Sequence, residues 1–371
     1  MKRVSAAVIA AAAALVIAQS PAATAAPGTS WSVPSCNRVV GDGAVTLTTD
    51  DGATLATTTG TLRPVSYTRG LVALDAPDTL LATRNDELQR STNAGCSWNH
   101  VATLGSASAT LTAGVGSRAF AWEVNGAYLA RIDGTSVTPL TAPAERIMGL
   151  GTDSADSDHL RVVGGDGRLY DSRDGGSSWS VLGTAAFPSG TGIYHAAFDP
   201  ADLDHVVVGA MVRGGAVTTD GGTTWTGSAG LTSGTRANLF RIAVSPADSS
   251  VVYGVGIDLT EAAPGSGVEG RYLYRSTDGG RTFTKIVDDT AEHDLTNGTL
   301  LAPSPVDPDV LYFEFGMYFQ DYGTDLFRYD AGTGALTKTH NAFDGISAIA
   351  FNPVQPTVLY LGMEETGSWS G

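Results

Sequence analysis

The chain has 371 residues, and its 38 acidic residues against 22 basic ones give a formal net charge of −16. Because binding to nucleic-acid phosphates requires a basic surface, a nucleic-acid partner is not expected. The 46 glycines and the low share of charged residues, 16%, favour many short strands joined by turns over helices.

The N-terminal segment has the features of a secretory signal peptide. Lys2 and Arg3 are followed by a short apolar run and by the small residues 23–25, the pattern of a cleavage site. The apolar run is too short to span a bilayer, and no later stretch is better suited to do so. We therefore predict that residues 1–25 are a signal peptide, that the rest of the chain is exported to the extracellular space without a membrane span, and that residues 26–371 form one domain.

A short motif recurs five times along the chain. It consists of Ser or Thr, then Asp or Asn two residues later, Gly two residues after that, a second Ser or Thr, and an aromatic residue or, once, Leu. The copies occupy residues 48–55, 91–98, 172–179, 218–225 and 276–283, with Asp50, Asn93, Asp174, Asp220 and Asp278 at the third position. A carboxylate there can accept hydrogen bonds from the amides of its own loop, and Gly tolerates the positive φ of a tight turn. The motif therefore predicts a structural turn between two strands rather than a loop that grips a ligand.

A second landmark precedes these turns and sets the size of the repeat. It begins at Asp153, Asp199, Ser245, Ser304 and Asn352, at intervals of 46 to 59 residues, and each copy leads into an apolar run. A unit of this length that holds four short strands is typical of a propeller blade. Weaker turn sequences, at residues 128–134 and 327–332, bring the number of turns to seven.

The two ends of the chain supply complementary halves of one blade. Residues 346–363 have the pattern of a first and a second strand, and residues 44–58 have that of a third and a fourth. Pairing these segments would remove an exposed sheet edge. The predicted fold is an all-β, seven-bladed β-propeller whose last blade is closed by strands from both termini.

The chain has two cysteines, Cys36 and Cys96. An even number of cysteines in an exported chain favours a disulfide. A metal ligand at Cys96 would have no companion at the spacing that zinc sites use. We predict a Cys36–Cys96 bridge that fastens the N-terminal segment to the next blade.

The turn motif at blade-like spacing resembles that of the Asp-box, or BNR-repeat, propellers, which include sialidases, sortilin-like receptors and xyloglucan-cleaving enzymes. The resemblance implies that the boxes lie on the rim of the face away from the ligand site. The sialidase signature Phe-Arg-Ile-Pro is expected ahead of the first box, but its nearest match, residues 240–243, comes late and lacks the proline. Arg69, Arg146 and Arg236 could converge on a carboxylate or be ordinary surface arginines. No catalytic residue is assigned.

Two long segments, residues 256–270 and 313–325, are expected to be loops on the face opposite the boxes. Their carboxylates and aromatic residues could anchor a protein partner or stack against a sugar, or could belong to a strand end and a solvated loop. The candidate binding residues, including one at the closing blade, are Asp258, Glu261, Glu314, Tyr318, Phe319, Tyr322 and Glu364.

The exported, single-domain form also resembles a group of secreted streptomycete propellers that act on an extracellular metalloprotease. This resemblance implies a non-enzymatic protein that binds such a protease and is itself a substrate of transglutaminase. The acyl donors would be Gln89, Gln320 and Gln355, the only glutamines after the predicted signal peptide. Each of them could also be an ordinary surface glutamine.

Three functions remain open from the sequence. The leading hypothesis is a secreted, monomeric propeller that binds another extracellular protein through its loop-bearing face. The first alternative is an Asp-box glycoside hydrolase that uses carboxylates on that face as acid and base. The second is a cross-linked matrix component. No cofactor or metal is predicted, because the histidines are isolated and the acidic loops lack a calcium-binding spacing.

Overall fold

The computed structural model describes residues 31–63, 65–262, 267–288, 300–315, 324–342 and 345–365. The predicted signal peptide lies outside these ranges and stays a prediction. Within them the regular structure consists of β-strands. No helix in the described ranges has the length and apolarity needed to cross a membrane.

The described strands are β1 (Arg38–Val39), β2 (Val45–Thr48), β3 (Thr57–Thr58), β4 (Ser66–Ala73), β5 (Leu80–Arg84), β6 (Glu87–Ser91), β7 (Asn99–Thr103), β8 (Ala109–Ala113), β9 (Arg118–Glu123), β10 (Leu129–Asp133), β11 (Ser136–Pro139), β12 (Ile147–Thr152), β13 (Leu160–Gly164), β14 (Leu169–Ser172), β15 (Ser180–Leu182), β16 (Ile193–Asp199), β17 (Asp202–Ala210), β18 (Gly214–Thr218), β19 (Thr226–Gly227), β20 (Ala237–Val244), β21 (Val252–Asp258), β22 (Arg271–Ser276), β23 (Phe283–Asp288), β24 (Leu301–Pro303), β25 (Val310–Phe315), β26 (Thr324–Asp330), β27 (Ala335–Ala342), β28 (Gly345–Phe351) and β29 (Leu359–Glu365).

Five sheets are four-stranded antiparallel meanders made of consecutive strands, β8–β11, β12–β15, β16–β19, β20–β23 and β24–β27. Their first strands contact one another in chain order, from β4 and β8 through β12, β16 and β20 to β24, while β28 contacts both β26 and β4 and closes the ring. The first strand of each sheet therefore lines a central channel, and the fourth lies at the rim. This arrangement confirms the predicted all-β propeller.

Apolar side chains fill the space between successive sheets. Between the β16–β19 and β20–β23 sheets, for example, Val207 and Val217 of one sheet and Leu239 and Phe283 of the other belong to one buried cluster. Second strands such as β17 are buried along most of their length, because each is covered on both faces by a neighbouring sheet. Their continuous Val-rich runs are the sequence pattern of such doubly covered strands.

The predicted number of blades is wrong. The structure has a propeller of five separate four-stranded blades, and strands expected to form two further blades are joined in one seven-stranded sheet that contains β28, β29, β2 and β4–β7. The link is made where β4 pairs with the end of β29, Tyr67 with Glu364 and Ser66 with Glu365. Since β2 is short and its pairing with β29 stops at Gly362, the last residues of β29 have a free edge, and β4 pairs with it.

Both ends of the described chain meet in this seven-stranded sheet. β2, near the N-terminal end, pairs antiparallel with β29, near the C-terminal end. The predicted disulfide is confirmed: Cys36 and Cys96 are bonded, with their Cα atoms 5.7 Å apart. The amide of Val40 donates to the carbonyl of Cys96 over 2.9 Å, so the segment is also held by backbone contacts.

Candidate functional site

The propeller has two faces that carry different kinds of connection. Because consecutive strands are antiparallel, the connections from first to second and from third to fourth strand lie on one face, and the others lie on the opposite face. We call the first the turn face, which carries the five predicted turns at residues 48–55, 91–98, 172–179, 218–225 and 276–283. We call the second the loop face; it includes residues 143–146, 165–168, 185–192, 211–213, 228–236, 259–262 and 267–270.

The turn around Asp174 shows what the recurring motif does. The backbone amide and the hydroxyl of Ser178 donate to the two carboxylate oxygens of Asp174 over 2.8 and 2.6 Å, and the hydroxyl of Ser172 donates over 2.8 Å. These hydrogen bonds, led by the one from the Ser178 hydroxyl, lower the pKa of Asp174 to about 2. Gly176 takes a φ of 87°, and its amide donates to the Ser172 hydroxyl over 2.9 Å. The motif's residues are therefore occupied with one another.

The other four turns repeat this geometry. Asp50, Asp220 and Asp278 each accept a hydrogen bond from the amide four residues later, over 2.7 to 2.9 Å. Asn93 accepts the same bond over 2.9 Å from Ser97 and donates its own amide to the Ser97 hydroxyl, so it forms an uncharged version of the turn. A structural role for these five residues remains the interpretation that their geometry favours.

Arginines on the turn face are used to clasp neighbouring sheets. Arg161 of β13 donates to Asp171 of its own sheet over 2.7 Å and to Asp204 of the next. Arg118 makes the corresponding contact from β9 to Asp158. The arginines of this face that form ion pairs are Arg118, Arg131, Arg161, Arg173, Arg275 and Arg328.

On the loop face, Asp258 is fully buried at the end of β21. The Thr232 hydroxyl, the Ser233 amide and the Thr260 amide donate to its carboxylate over 2.6, 2.7 and 3.0 Å. Burial by itself would raise the pKa of Asp258, but these hydrogen bonds outweigh it and hold the pKa well below its usual range. With the Lys285 ammonium 3.6 Å away, the carboxylate is committed to holding loops together.

Glu261, the second predicted residue of this loop, is also engaged within the chain. It accepts hydrogen bonds from the Tyr272 hydroxyl and, over 2.7 Å, from Lys285. The Lys285 ammonium lies 3.8 Å from the centroid of the Tyr272 ring. Asp258 and Glu261 are thus brought together through Lys285, as a structural cluster rather than as a pair of carboxylates facing an open site.

Of the remaining predicted binding residues, the structure describes Glu314 and Glu364, which lie on strands other than those of this cluster. Glu314 is buried on β25, only 8% exposed. Glu364, near the end of β29, is partly exposed, and burial raises its pKa while the charge of Arg69 opposes the change. Tyr318, Phe319 and Tyr322 lie outside the described residues.

The central channel contains a group of basic side chains that the sequence pattern did not predict. His195 and Arg241 lie on the channel-lining strands β16 and β20, and Arg69 lies on β4, which is not consecutive with β20 in the ring. Burial, together with the charge of Arg69, lowers the pKa of Arg241 to about 10, so the positive charges of these two arginines oppose each other. Burial, with a smaller effect of Arg241, lowers the pKa of His195 well below its usual value, so His195 is neutral at pH 7.

Two cavities on the loop face were also not predicted. One, of about 760 Å³, includes Arg146 and Arg168 in its lining; the other, of about 570 Å³, includes Arg213 and Arg236. Both are bounded by the same loop, residues 188–192. The sequence signal for Arg168 and Arg213 is their place beside glycines in the short connections between second and third strands.

The candidate glutamines differ in accessibility. Gln89 is 5% exposed, and its side-chain amide donates to Asp42 over 2.7 Å. Gln355 is exposed in the connection between β28 and β29. Gln320 lies outside the described residues.

Comparisons with known proteins give one close relative. No family model matches the chain. The chain is 67% identical over 369 residues to the dispase autolysis-inducing protein of Streptomyces mobaraensis, covering 98% of this chain and 99% of that protein. This relative supports the resemblance to streptomycete proteins that act on a protease, whereas membership of the Asp-box group is not shown by a family model.

Similar solved structures show the fold alone. One is a GH74 xyloglucanase from Xanthomonas campestris, with a TM-score of 0.52, 18% identity, and coverage of 72% of this chain and 46% of that chain. Another is a GH74 enzyme from Niastella koreensis, with a TM-score of 0.54, 15% identity, and coverage of 81% and 51%. The chain thus spans about half the length of these enzymes. The third is YCF48 from Cyanidioschyzon merolae, with a TM-score of 0.55, 13% identity, and coverage of 81% and 96%.

Proposed function

The chain belongs to the family of the dispase autolysis-inducing protein. We therefore propose that it binds an extracellular protease of the dispase type and induces autolysis of that protease. The observation that carries the proposal is the 67% sequence identity to that relative over 98% of this chain. The disulfide between Cys36 and Cys96 supports an extracellular location, because such bonds persist in oxidising compartments. We also propose that the signal peptide directs export and that the mature protein is a monomer.

A binding protein can induce autolysis without breaking any bond itself. Autolysis requires a segment of a protease molecule to enter a protease active site, either its own or that of another molecule. A partner that binds the conformation with this segment exposed more tightly than the closed one increases the exposed population. The described loop-face carboxylates Asp258 and Glu261 support this non-enzymatic proposal over acid–base hydrolysis, since both are held by internal hydrogen bonds.

The proposal is tested by mixing the purified mature chain with dispase and following the intact protease over time by gel electrophoresis and by its activity. We expect fragmentation to accelerate with increasing amounts of the chain, while serum albumin has no effect. With the protease inactivated by a metal chelator, binding can still be examined but fragmentation should stop. An unchanged autolysis rate would contradict the proposed function, and fragmentation of the chelated protease would show that the chain is itself a peptidase.

We further propose Gln355 as a substrate for transglutaminase. Its side chain is exposed on a connection, whereas Gln89 is buried and its amide is hydrogen-bonded to Asp42. In the presence of transglutaminase and a labelled primary amine, we expect peptide mapping to find the label at Gln355 and none at Gln89. The variant Gln355→Asn should lose that label, with Gln89→Asn as the matched control that keeps it. Labelling confined to Gln89 would contradict this assignment.

A further inference from the structure

The two loop-face cavities form a single groove divided by one loop. Residues 188–192 line both cavities, which have volumes of about 760 and 570 Å³. The amide of Met211 donates to the carbonyl of Gly192 over 2.8 Å, so this dividing loop is tied to the connection between β17 and β18. We call the two cavities and their dividing loop the loop-face groove.

The groove is basic in a chain that is strongly acidic. Its lining contains the exposed arginines Arg146, Arg168, Arg213 and Arg236 and two carboxylates, Glu145 and Asp166. Asp166 is engaged by the Tyr170 hydroxyl, which donates to it over 2.9 Å, and it lies 3.9 Å from the Arg168 guanidinium. A local excess of positive charge on a protein with a net charge of −16 attracts acidic groups to this place on the surface.

These arginines differ from those of the turn face in what they contact. In the part of the chain that the structure describes, Arg146, Arg213 and Arg236 have no carboxylate within ion-pair distance. On the turn face, by contrast, Arg118, Arg161 and Arg275 form ion pairs with aspartates of neighbouring sheets. Arg146 makes one long hydrogen bond, of 3.3 Å, to the side chain of Asn125. The guanidinium groups of Arg146, Arg213 and Arg236 are therefore available for bidentate pairing with carboxylates from another molecule.

One wall of the groove carries two exposed apolar residues, Met211 and Val212, at the tip of the connection between β17 and β18; we call this the apolar tip. Met211 and Val212 are 47% and 36% exposed, and Val212 has a φ of 66°, a region that β-branched residues rarely occupy. The tip is held in this conformation, because the Asn238 side chain accepts a hydrogen bond from the Val212 amide over 2.8 Å and the Val212 carbonyl accepts one from Ala237 over 3.3 Å. Because hydrogen bonds hold the backbone in this conformation, the two apolar side chains are already exposed in the unbound protein.

We propose that the loop-face groove binds an acidic segment of a protein partner, with its Asp or Glu side chains paired to Arg146, Arg213 and Arg236 and one apolar side chain packed against Met211 and Val212. The assignment of that acidic segment to the protease rests on the proposed function, whereas binding of an acidic segment by the groove does not. A protein segment fits better than a nucleic acid, because the net charge of −16 repels a continuous phosphate backbone and the tip offers an apolar contact.

The test uses the full mature chain and a short fluorescein-labelled peptide rich in glutamate with one central leucine. Fluorescence anisotropy is measured at low and at physiological salt for the wild type and for the double variant Arg213→Glu, Arg236→Glu. The matched control is Arg38→Glu, Arg281→Glu, which changes the net charge equally at exposed arginines outside the groove. We expect the groove variant to bind at least about tenfold more weakly and the control to stay within about twofold, and we expect binding to weaken as salt rises.

A peptide in which leucine is replaced by glycine should bind more weakly, and one with lysine in place of glutamate should not bind. Equal loss in the control variant, or tighter binding of a single-stranded oligonucleotide than of the acidic peptide, would overturn the inference. The same variants are then compared in the autolysis assay. If the wild-type chain does not accelerate autolysis, the proposed function is contradicted. If the wild type and the groove variant accelerate autolysis equally, the groove is not the site that binds the protease.

Discussion

Replacing Cys36 and Cys96 with serine is expected to lower the free energy of unfolding by about 4 kcal/mol. The bridge joins residues that are 60 positions apart, so it removes much conformational freedom from the unfolded chain. It also holds the segment that precedes β2 against the turn at 91–98, beside the seven-stranded sheet that joins the two ends. Urea unfolding followed by tryptophan fluorescence measures the difference.

Reduction of the wild-type protein is the control for this comparison. A reductant should destabilise the wild type by a similar amount and leave the double serine variant unchanged, since that variant has no bridge to lose. A loss of less than about 1 kcal/mol in both experiments would contradict the entropic argument, because a loop of this size is expected to contribute several times more.

The repeated turn made the fold class predictable from sequence. Each turn depends on partners within four residues, as with Asp174 and Ser178, so the motif and its geometry are encoded together. Whether neighbouring strands form separate blades or one larger sheet depends on contacts between residues that are distant in sequence. Pairing of Tyr67 with Glu364 joins β4 to β29, and it occurs because β2 leaves that edge of β29 free. No local pattern reports such an edge, which is why the number of blades was predicted incorrectly.

The loop face was predictable as a place but not in its details. Asp258 is a candidate binding residue from the sequence because it is a carboxylate in a long loop segment. The groups that donate hydrogen bonds to its carboxylate, from Thr232 and Ser233, come from a different connection, the one between β19 and β20. Arg213 was not predicted for the opposite reason: it lies in a short connection, and only the fold brings it to the groove that also contains Arg146.

The replacement Asp258→Ala is expected to lower the free energy of unfolding by about 3 kcal/mol at pH 7. It leaves the Ser233 and Thr260 amides without their acceptor and removes a buried anion that faces Lys285. The isosteric Asp258→Asn should cost less, about 2 kcal/mol, because the amide retains one acceptor oxygen. Unfolding in urea at constant salt gives both values. Glu269→Gln is the matched control, since it removes a carboxylate from an exposed position on the same loop and should change stability by less than about 0.5 kcal/mol.

The pH dependence of the free energy of unfolding distinguishes the contribution of the negative charge of Asp258 from the contribution of its packing. Its pKa is lowered in the folded protein, so its carboxylate contributes stability above the pKa of an unfolded aspartate, about 3.9, and that contribution is lost as the pH falls toward the folded pKa. The stability difference between wild type and Asp258→Asn should therefore be largest and constant above about pH 5 and should shrink steadily below about pH 4. A difference that stayed constant down to about pH 2.5 would mean that packing, rather than hydrogen bonds to an anion, holds this loop in place.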